Sequence, residues 1–207
     1  MAKNTILIAI AGASGSGKTS LAKRLRDELG DWFKVALLSE DSYYRQQKEL
    51  TFKEREETNY DHPDAIEESM LVEHLKSFKA GQAVEVPVYD YEEHQRSEEI
   101  ETLGPCQILI VEGILLLHRA AVREIVDLSV FVSVPEEVCL RRRIRRDVAK
   151  RGRTRESVLA QYEKTVGPMF REFVKPSMGH ADLVIENSTE EPPSMDELLK
   201  RIRDLVS

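Results

Sequence analysis

Gly12-Ala13-Ser14-Gly15-Ser16-Gly17-Lys18-Thr19 is the stretch that decides the fold. It matches G-x-x-x-x-G-K-[ST], a phosphate-binding loop, and that motif needs a strand before it and a helix after it. Both are present. Ile6-Leu7-Ile8-Ala9-Ile10-Ala11 is an apolar run of buried-strand character, and Ser20 to Leu29 reads as a helix that stops at Gly30. Glycines allow the backbone to turn with positive φ and to approach a ligand closely. The amides of the loop and of the helix N-terminus, out to Ser20, then converge on an anion. Lys18 reaches the β- and γ-phosphates, and the Thr19 hydroxyl is suited to Mg²⁺.

The remaining composition bounds what this loop can serve. The chain has 207 residues, 41% apolar and 32% charged, which suits one domain with a sizeable core. A formal net charge of -7 does not suit nonspecific nucleic-acid binding. Cys106 and Cys139 are the only cysteines, so no disulfide framework is expected. No signal-peptide pattern and no apolar run of membrane-spanning length is present, and the cytoplasm is the expected compartment.

Strands alternate with helices beyond the loop, the pattern of a parallel sheet covered on both faces. Lys34 to Leu38 is a short strand that runs into Ser39-Glu40-Asp41-Ser42-Tyr43-Tyr44. Residues 45–60 read as a charged, mobile surface segment, partly helical. Pro63 keeps His62 out of a helix, Asp64 is suited to cap the next one, and Ile66 to Phe78 carries helical spacing. Val84 to Tyr91 alternates with period two, and Pro87 assigns it to an edge or to a hairpin with Glu98 to Thr102. Gln107 to Gly113 and Leu128 to Val134 are further buried strands, with a helix over Ala120 to Ile125 between them. Pro135 opens a helix rich in arginine. A long helix from about Glu156 to Phe173 is expected to break near Gly167-Pro168, and Leu183 to Ile185 is a last strand. Ser194 with Glu197 forms a capping-box pattern before the final helix. The whole is one domain, 1–207, with a hairpin lobe at 84–103 and an Arg-rich helix and lid at 141–155.

Three features converge on phosphoryl transfer: the loop, Glu112 at the end of a buried strand, and the arginine run. Glu112 reads either as a carboxylate placed to hold Mg²⁺, directly or through water, or as a solvated strand end. Arg142 and Arg146 share a helix face with Arg143 beside it, whereas Arg141 and Arg145 read as a solvated face. Gly152, between Arg151 and Arg153, reads as the hinge of a closing lid. Ligands of such sheets sit at the carboxyl ends of the strands, so Asp41 reads either as a general base or as a turn cap. Tyr89 and Tyr91 read either as packing residues or as a surface for a flat ring, with His94 at its polar edge.

These motifs, in this order and spacing, resemble the uridine kinase (uridine–cytidine kinase) family of P-loop nucleoside kinases. The resemblance runs from Gly12 to about Ile185. It includes Ser39 to Tyr44, Asn59-Tyr60-Asp61-His62-Pro63-Asp64-Ala65, Pro87 to Tyr91 with His94 and Arg96, Val111 to Leu115, Arg146-Asp147 with Arg151-Gly152-Arg153, Gln161-Tyr162 and Ala181-Asp182. It implies a P-loop NTPase-type fold and transfer of the ATP γ-phosphoryl group to the 5′-hydroxyl of uridine and of cytidine, with GTP as a second candidate donor. By analogy, Asp41 deprotonates the ribose 5′-hydroxyl and joins Thr19 and Glu112 at Mg²⁺, and Lys18 stabilises the transferring phosphoryl group. Asp61 and Arg143 hold the ribose 2′- and 3′-hydroxyls. Tyr44, Tyr60, Tyr89, Tyr91, His94, Arg153 and Gln161 surround the base, and Arg146 and Arg151 act on the phosphates. The resemblance also implies a homo-oligomer, commonly a tetramer, with no nucleic-acid or membrane partner.

The chain departs from the family pattern at Glu40, where Gln is usual, at Cys139, where an Arg is usual, and at Glu186-Asn187-Ser188, where Pro-x-Gly is usual. The rival readings are a related kinase with another small acceptor, phosphoribulokinase- or pantothenate-kinase-like, and a non-catalytic nucleotide-binding module. The Tyr89–His94 lobe argues against the first, and Asp41 and Glu112 together with the pyrimidine-site residues argue against the second. A GTPase would need an Asn/Thr-Lys-x-Asp motif, which the sequence lacks.

Overall fold

A computed structural model describes residues 5–189 and 191–206. The apolar runs become the strands of a parallel sheet: β1 (Ile6–Gly12), β2 (Val35–Ser39), β5 (Ile108–Gly113), β6 (Leu128–Ser133) and β7 (Leu183–Glu186). Their order is β2-β5-β1-β6-β7, and every pairing is parallel. Alternate residues of β1 face opposite ways, as strand geometry requires. Leu7, Ala9 and Ala11 join a core with Leu71, Leu75 and Phe78 of the helix Glu68–Lys79. Ile8 and Ile10 join another with Leu21 and Leu25 of α1 (Lys18–Gly30), and with Leu198 and Ile202 of the C-terminal helix Asp196–Val206. Helices therefore cover both faces, the arrangement that lets every central strand be apolar throughout.

The hairpin stands apart from this sheet. β3 (Val84–Asp90) and β4 (Gln95–Leu103) pair antiparallel, with a register shift between Pro87 and Tyr89. Its tip is turned by the Asp90 carboxylate, which accepts the Glu92 and Glu93 amides at 2.8 and 3.0 Å. β3 ends at Asp90, so Tyr91 belongs to the tip rather than to the strand.

Several local expectations need correction. Residues 45–60 are anchored rather than loose. Thr51 and Glu54 form a capping box on α2 (Phe52–Glu56), and buried Arg55 donates to the carbonyls of Leu50 (2.8 Å) and Glu93 (3.0 Å). Asp64 caps no helix. It lies in a 3₁₀ turn where its amide donates to His62 Nδ1 (3.1 Å), and α3 (Glu68–Lys79) starts later because Ile66 is paired with Tyr44. The short α4 (Ala120–Arg123) ends before Ile125.

The helix after the arginine run does not break at Gly167-Pro168. α6 (Arg155–Gln161) continues through π-helical turns at Tyr162–Val166 and Phe170–Val174. Pro168 and Pro176 each follow one of these wider turns, which carry the backbone away from the proline ring. The Ser194–Glu197 box is also absent. The helix opens at Asp196, whose amide donates to Ser194 Oγ (3.2 Å), and Glu197 pairs with Arg201 instead (2.9 Å). Among the described residues, no helix is long and apolar enough to cross a membrane.

At the carboxyl end of β5, Gly113 admits the Glu40 side chain across its Cα. A Cβ there would lie 2.7 Å from Glu40 Cδ and closer still to its Cβ and Oε2. Gly113→Ala is expected to destabilise the protein by about 1–3 kcal/mol, a Tm drop of several degrees in a thermal melt. An unchanged Tm would show that Glu40 yields without cost.

Candidate active site

The phosphate loop is shaped by what presses on it. Gly15 and Gly17 adopt φ of 88° and 92°. A Cβ on Gly15 would lie 2.5 Å from the Cys139 carbonyl of α5 (Glu136–Lys150), and one on Gly17 would lie 2.5 Å from Asn187 Nδ2. Both positions thus need glycine for conformation and for space. Gly12 closes on Ser16 and Val132. The Ser16 amide donates to the Ala13 carbonyl (3.0 Å), and Ala13 packs into the core. Asn187 donates to the Ser16 carbonyl (2.7 Å), while Arg142 donates to the carbonyls of Asn187 (2.9 Å) and Thr189 (2.7 Å). Arg142 therefore braces the loop after β7. Lys18, Thr19 and Ser20 form the first turn of α1.

Acids gather beside Lys18. Glu112 is level with Ile10 of β1 and Ser39 of β2, two positions before Gly12 and Asp41. Its carboxylate accepts the Thr19 hydroxyl (3.1 Å) and lies 3.7 Å from Lys18 Nζ. Asp41 occupies the 3₁₀ turn Glu40–Tyr43, its amide bonded to Ser39 Oγ (3.3 Å). Thr19, Asp41 and Glu112 offer a hydroxyl and two carboxylates. That set suits Mg²⁺, which keeps several waters and takes one or two carboxylates plus phosphates.

Glu40 lies behind Asp41 and is 1% exposed. It accepts the Leu115 amide (2.9 Å) and lies 3.6 Å from Arg119 Nε. Burial pushes its carboxyl up to about 7, against the opposing pull of Arg119.

Arginines reach the loop from α5. Arg143 Nη1 donates to Ser14 Oγ (2.8 Å) and Nη2 donates to Gln161 Oε1 (2.9 Å). Burial holds the Arg143 guanidinium below its ordinary pKa, resisted by Asp61 and Asp147. Asp61 is raised by burial and drawn back by Arg143. Arg146 Nη2 lies 3.5 Å from Ser14 Oγ. Arg151 stacks over the Tyr91 ring at 5.0 Å, and Arg153 donates to Gln161 Oε1 and to the Ser157 carbonyl (3.0 Å). Arg141 and Arg145 are exposed, as their helical phase requires.

The rings form a connected wall. Tyr44 meets Tyr60 and Tyr89 at 5.1 and 4.9 Å, and Tyr60 stacks on His94 at 5.6 Å. Tyr89 meets Tyr91 edge-on at 5.3 Å. The Tyr91 hydroxyl donates to Asp41 Oδ2 (2.8 Å), which joins the hairpin tip to the acid turn. His94 adopts φ 54°, and burial lowers its pKa, so its ring is neutral at pH 7.

Sequence reasoning named Glu40, Asp147 and Asn187 without giving them a part in this arrangement, and it did not name Arg119. Asp147 is fully buried beneath Arg143, Arg146 and Arg151. The available signal was its spacing, since Arg143 and Arg151 flank it at i−4 and i+4.

Residues 7–192 match the family model described as Phosphoribulokinase / Uridine kinase family. The uridine kinase of Shewanella amazonensis is 44% identical over 205 residues, covering 98% of this chain and 97% of that protein. The uridine kinase of Salmonella paratyphi B is 45% identical over 201 residues, covering 95% and 94%. Among solved structures, the phosphoribulokinase from Rhodobacter spheroides shares the fold with a TM-score of 0.67 at 15% identity, covering 89% of this chain and 71% of that one.

The buried Glu40 makes the electrostatics testable through stability. Its carboxyl titrates near 7 in the fold against an ordinary 4.5. The folded state thus favours the neutral form, and the associated stability is complete below about pH 4.5 and is lost as pH rises through about 7. Glu40→Gln cannot ionise. Wild type is expected to lose up to about 3 kcal/mol relative to Glu40→Gln across this window. Chemical denaturation at a series of pH values checks it, and parallel pH profiles would contradict it.

Proposed function

The chain belongs to the phosphoribulokinase/uridine kinase family, and from that membership we propose that it transfers the γ-phosphoryl group of ATP to the 5′-hydroxyl of uridine and of cytidine, a pyrimidine-salvage reaction. The observation that carries the acceptor is 44–45% identity, over nearly the whole chain, to proteins named uridine kinase. The geometry supports it. A carboxylate beside the phosphate loop is bonded to a tyrosine of the aromatic wall, so donor and acceptor sides share one cleft.

The residues divide the work. The loop amides from Gly12 to Ser20 bind the donor phosphates. Lys18, Arg146 and Arg151 balance the charge that spreads over the transferring group, which is the main demand of this chemistry. Asp41 accepts the proton of the 5′-hydroxyl, and Tyr91 holds Asp41 in orientation until the hydroxyl arrives. Thr19, Asp41 and Glu112 would hold Mg²⁺, which would neutralise phosphate charge. Asp61 and Arg143 suit the ribose diol, as acceptor and donor. Tyr44, Tyr60, Tyr89 and Tyr91 offer aromatic surface to the pyrimidine, and Gln161 and Arg153 close its edge. A neutral His94 carries one donor and one acceptor. It can therefore meet either the 4-carbonyl of uridine or the 4-amino group of cytidine. Donor choice between ATP and GTP falls to the loop after β7, where Asn187 departs from the family pattern. The enzyme works in the cytoplasm, with which two unpaired cysteines are consistent, and the homotetramer is an inheritance from the family resemblance alone.

Asp41→Asn keeps the side-chain shape and removes the base. Turnover on uridine is expected to fall by roughly 10²–10⁴-fold, with ATP binding by calorimetry retained. Wild-type turnover in Asp41→Asn would remove Asp41 from the base role.

A further inference from the structure

The α5 helix and the turn after it supply the basic groups assigned above to the phosphates and to the ribose. They share one anchor, the carboxylate of Asp147. Asp147 is 0% exposed. Arg146 Nε donates to its Oδ1 at 2.7 Å, Arg151 Nε lies 3.7 Å from the same oxygen, and Arg143 Nε lies 3.5 Å from Oδ2. The Asp147 carbonyl also accepts the amides of Arg151 (3.1 Å) and Arg153 (3.3 Å). The turn through Gly152, at φ 61°, is thereby wound around the same residue.

The three guanidiniums differ in freedom. Arg143 is 8% exposed, whereas Arg146 and Arg151 are 34% and 39% exposed. Three cations converging without an anion would repel one another and splay into solvent. One buried carboxylate offsets that repulsion and leaves a net positive cluster facing the phosphate loop. A buried anion is itself costly unless well paired, so the arginines and the carboxylate fix each other. The Asp147 carboxylate is not saturated: among the described residues, Oδ2 has no hydrogen bond and is met by the ion-pair contact from Arg143.

We propose that Asp147 is the positioning residue of the lid, holding Arg146 and Arg151 in the orientation that phosphoryl transfer requires before substrate arrives. It touches no substrate. Its effect is preorganisation, since donors already aimed at developing charge need no rearrangement during the reaction. Incoming phosphates would share the half-exposed Arg146 and Arg151 with Asp147, while Arg143 stays fastened. The inference rests on the kinase reading above.

The test is Asp147→Asn, which keeps shape and removes charge. Thermal melts establish that the variant is folded. With uridine as acceptor, kcat is expected to fall at least ~10-fold while the Kd for ATP stays within about threefold, because the arginines remain but are no longer aimed. In an Arg146→Ala, Arg151→Ala background, Asp147→Asn is expected to cost less than about twofold more. A wild-type kcat in Asp147→Asn, a parallel loss of kcat and ATP affinity, or an undiminished loss in the background lacking Arg146 and Arg151 would each overturn the proposal. Proton exchange at Arg146 Nε, followed by NMR on the wild-type protein, needs neither a variant nor an acceptor. Slow exchange supports Asp147 as the anchor, and exchange as fast as in unfolded protein overturns it. Slow exchange in an enzyme inactive on every nucleoside would overturn the acceptor assignment and leave the anchor standing.

Discussion

The phosphate loop and α5 meet backbone to backbone at Gly15, where one added methyl group would overlap the Cys139 carbonyl. That approach sets the distance between the anion cradle and every arginine on the helix. Cys139, Arg143 and Asp147 are the buried residues of α5, and they recur at intervals of four. Each step advances about 6 Å along the helix. The same face therefore packs on the loop, then bonds to Ser14, then gathers the lid arginines. A shift of α5 would move all three functions together.

The hairpin is held by Val84, Val86 and Tyr89, which join the main core, and by cations at its open face. Arg55 ties its tip to the segment before it through the Glu93 carbonyl, and Arg96 pairs with Glu67 (2.8 Å) and donates to the Tyr43 carbonyl (3.1 Å). Tyr91 then links the tip to Asp41, and Arg151 lies over the Tyr91 ring. The turn after α5, the hairpin tip and the acid turn thus meet at a single tyrosine. A cation over an aromatic face is attractive without demanding strict alignment.

The features legible in the sequence were those with local or topological causes. The phosphate loop is one continuous motif. Glu112 and Asp41 follow from strand ends in a parallel sheet, and the hairpin follows from alternation and Pro87. Of the features that escaped, Glu40, Arg119 and Asn187 depend on partners far along the chain, whereas Asp147 depends on arginines within four residues of it. Glu40 gains its meaning from Arg119 and Leu115, and Asn187 gains its meaning from Ser16. Pro168 signalled a break, but the π-helical turn before it absorbs the proline. Glu197 signalled a cap, but Arg201 competes for its carboxylate. In both cases a neighbouring local feature, a widened helical turn or an i,i+4 ion pair, overruled the simpler sequence signal.

The most direct measurement is ADP release by wild-type protein with ATP and Mg²⁺ across a panel of acceptors: uridine, cytidine, ribulose 5-phosphate and pantothenate. Turnover on uridine and cytidine, with none on the sugar phosphate or pantothenate, is the expected result. Turnover on ribulose 5-phosphate with none on uridine would contradict the assignment of the aromatic wall to a pyrimidine.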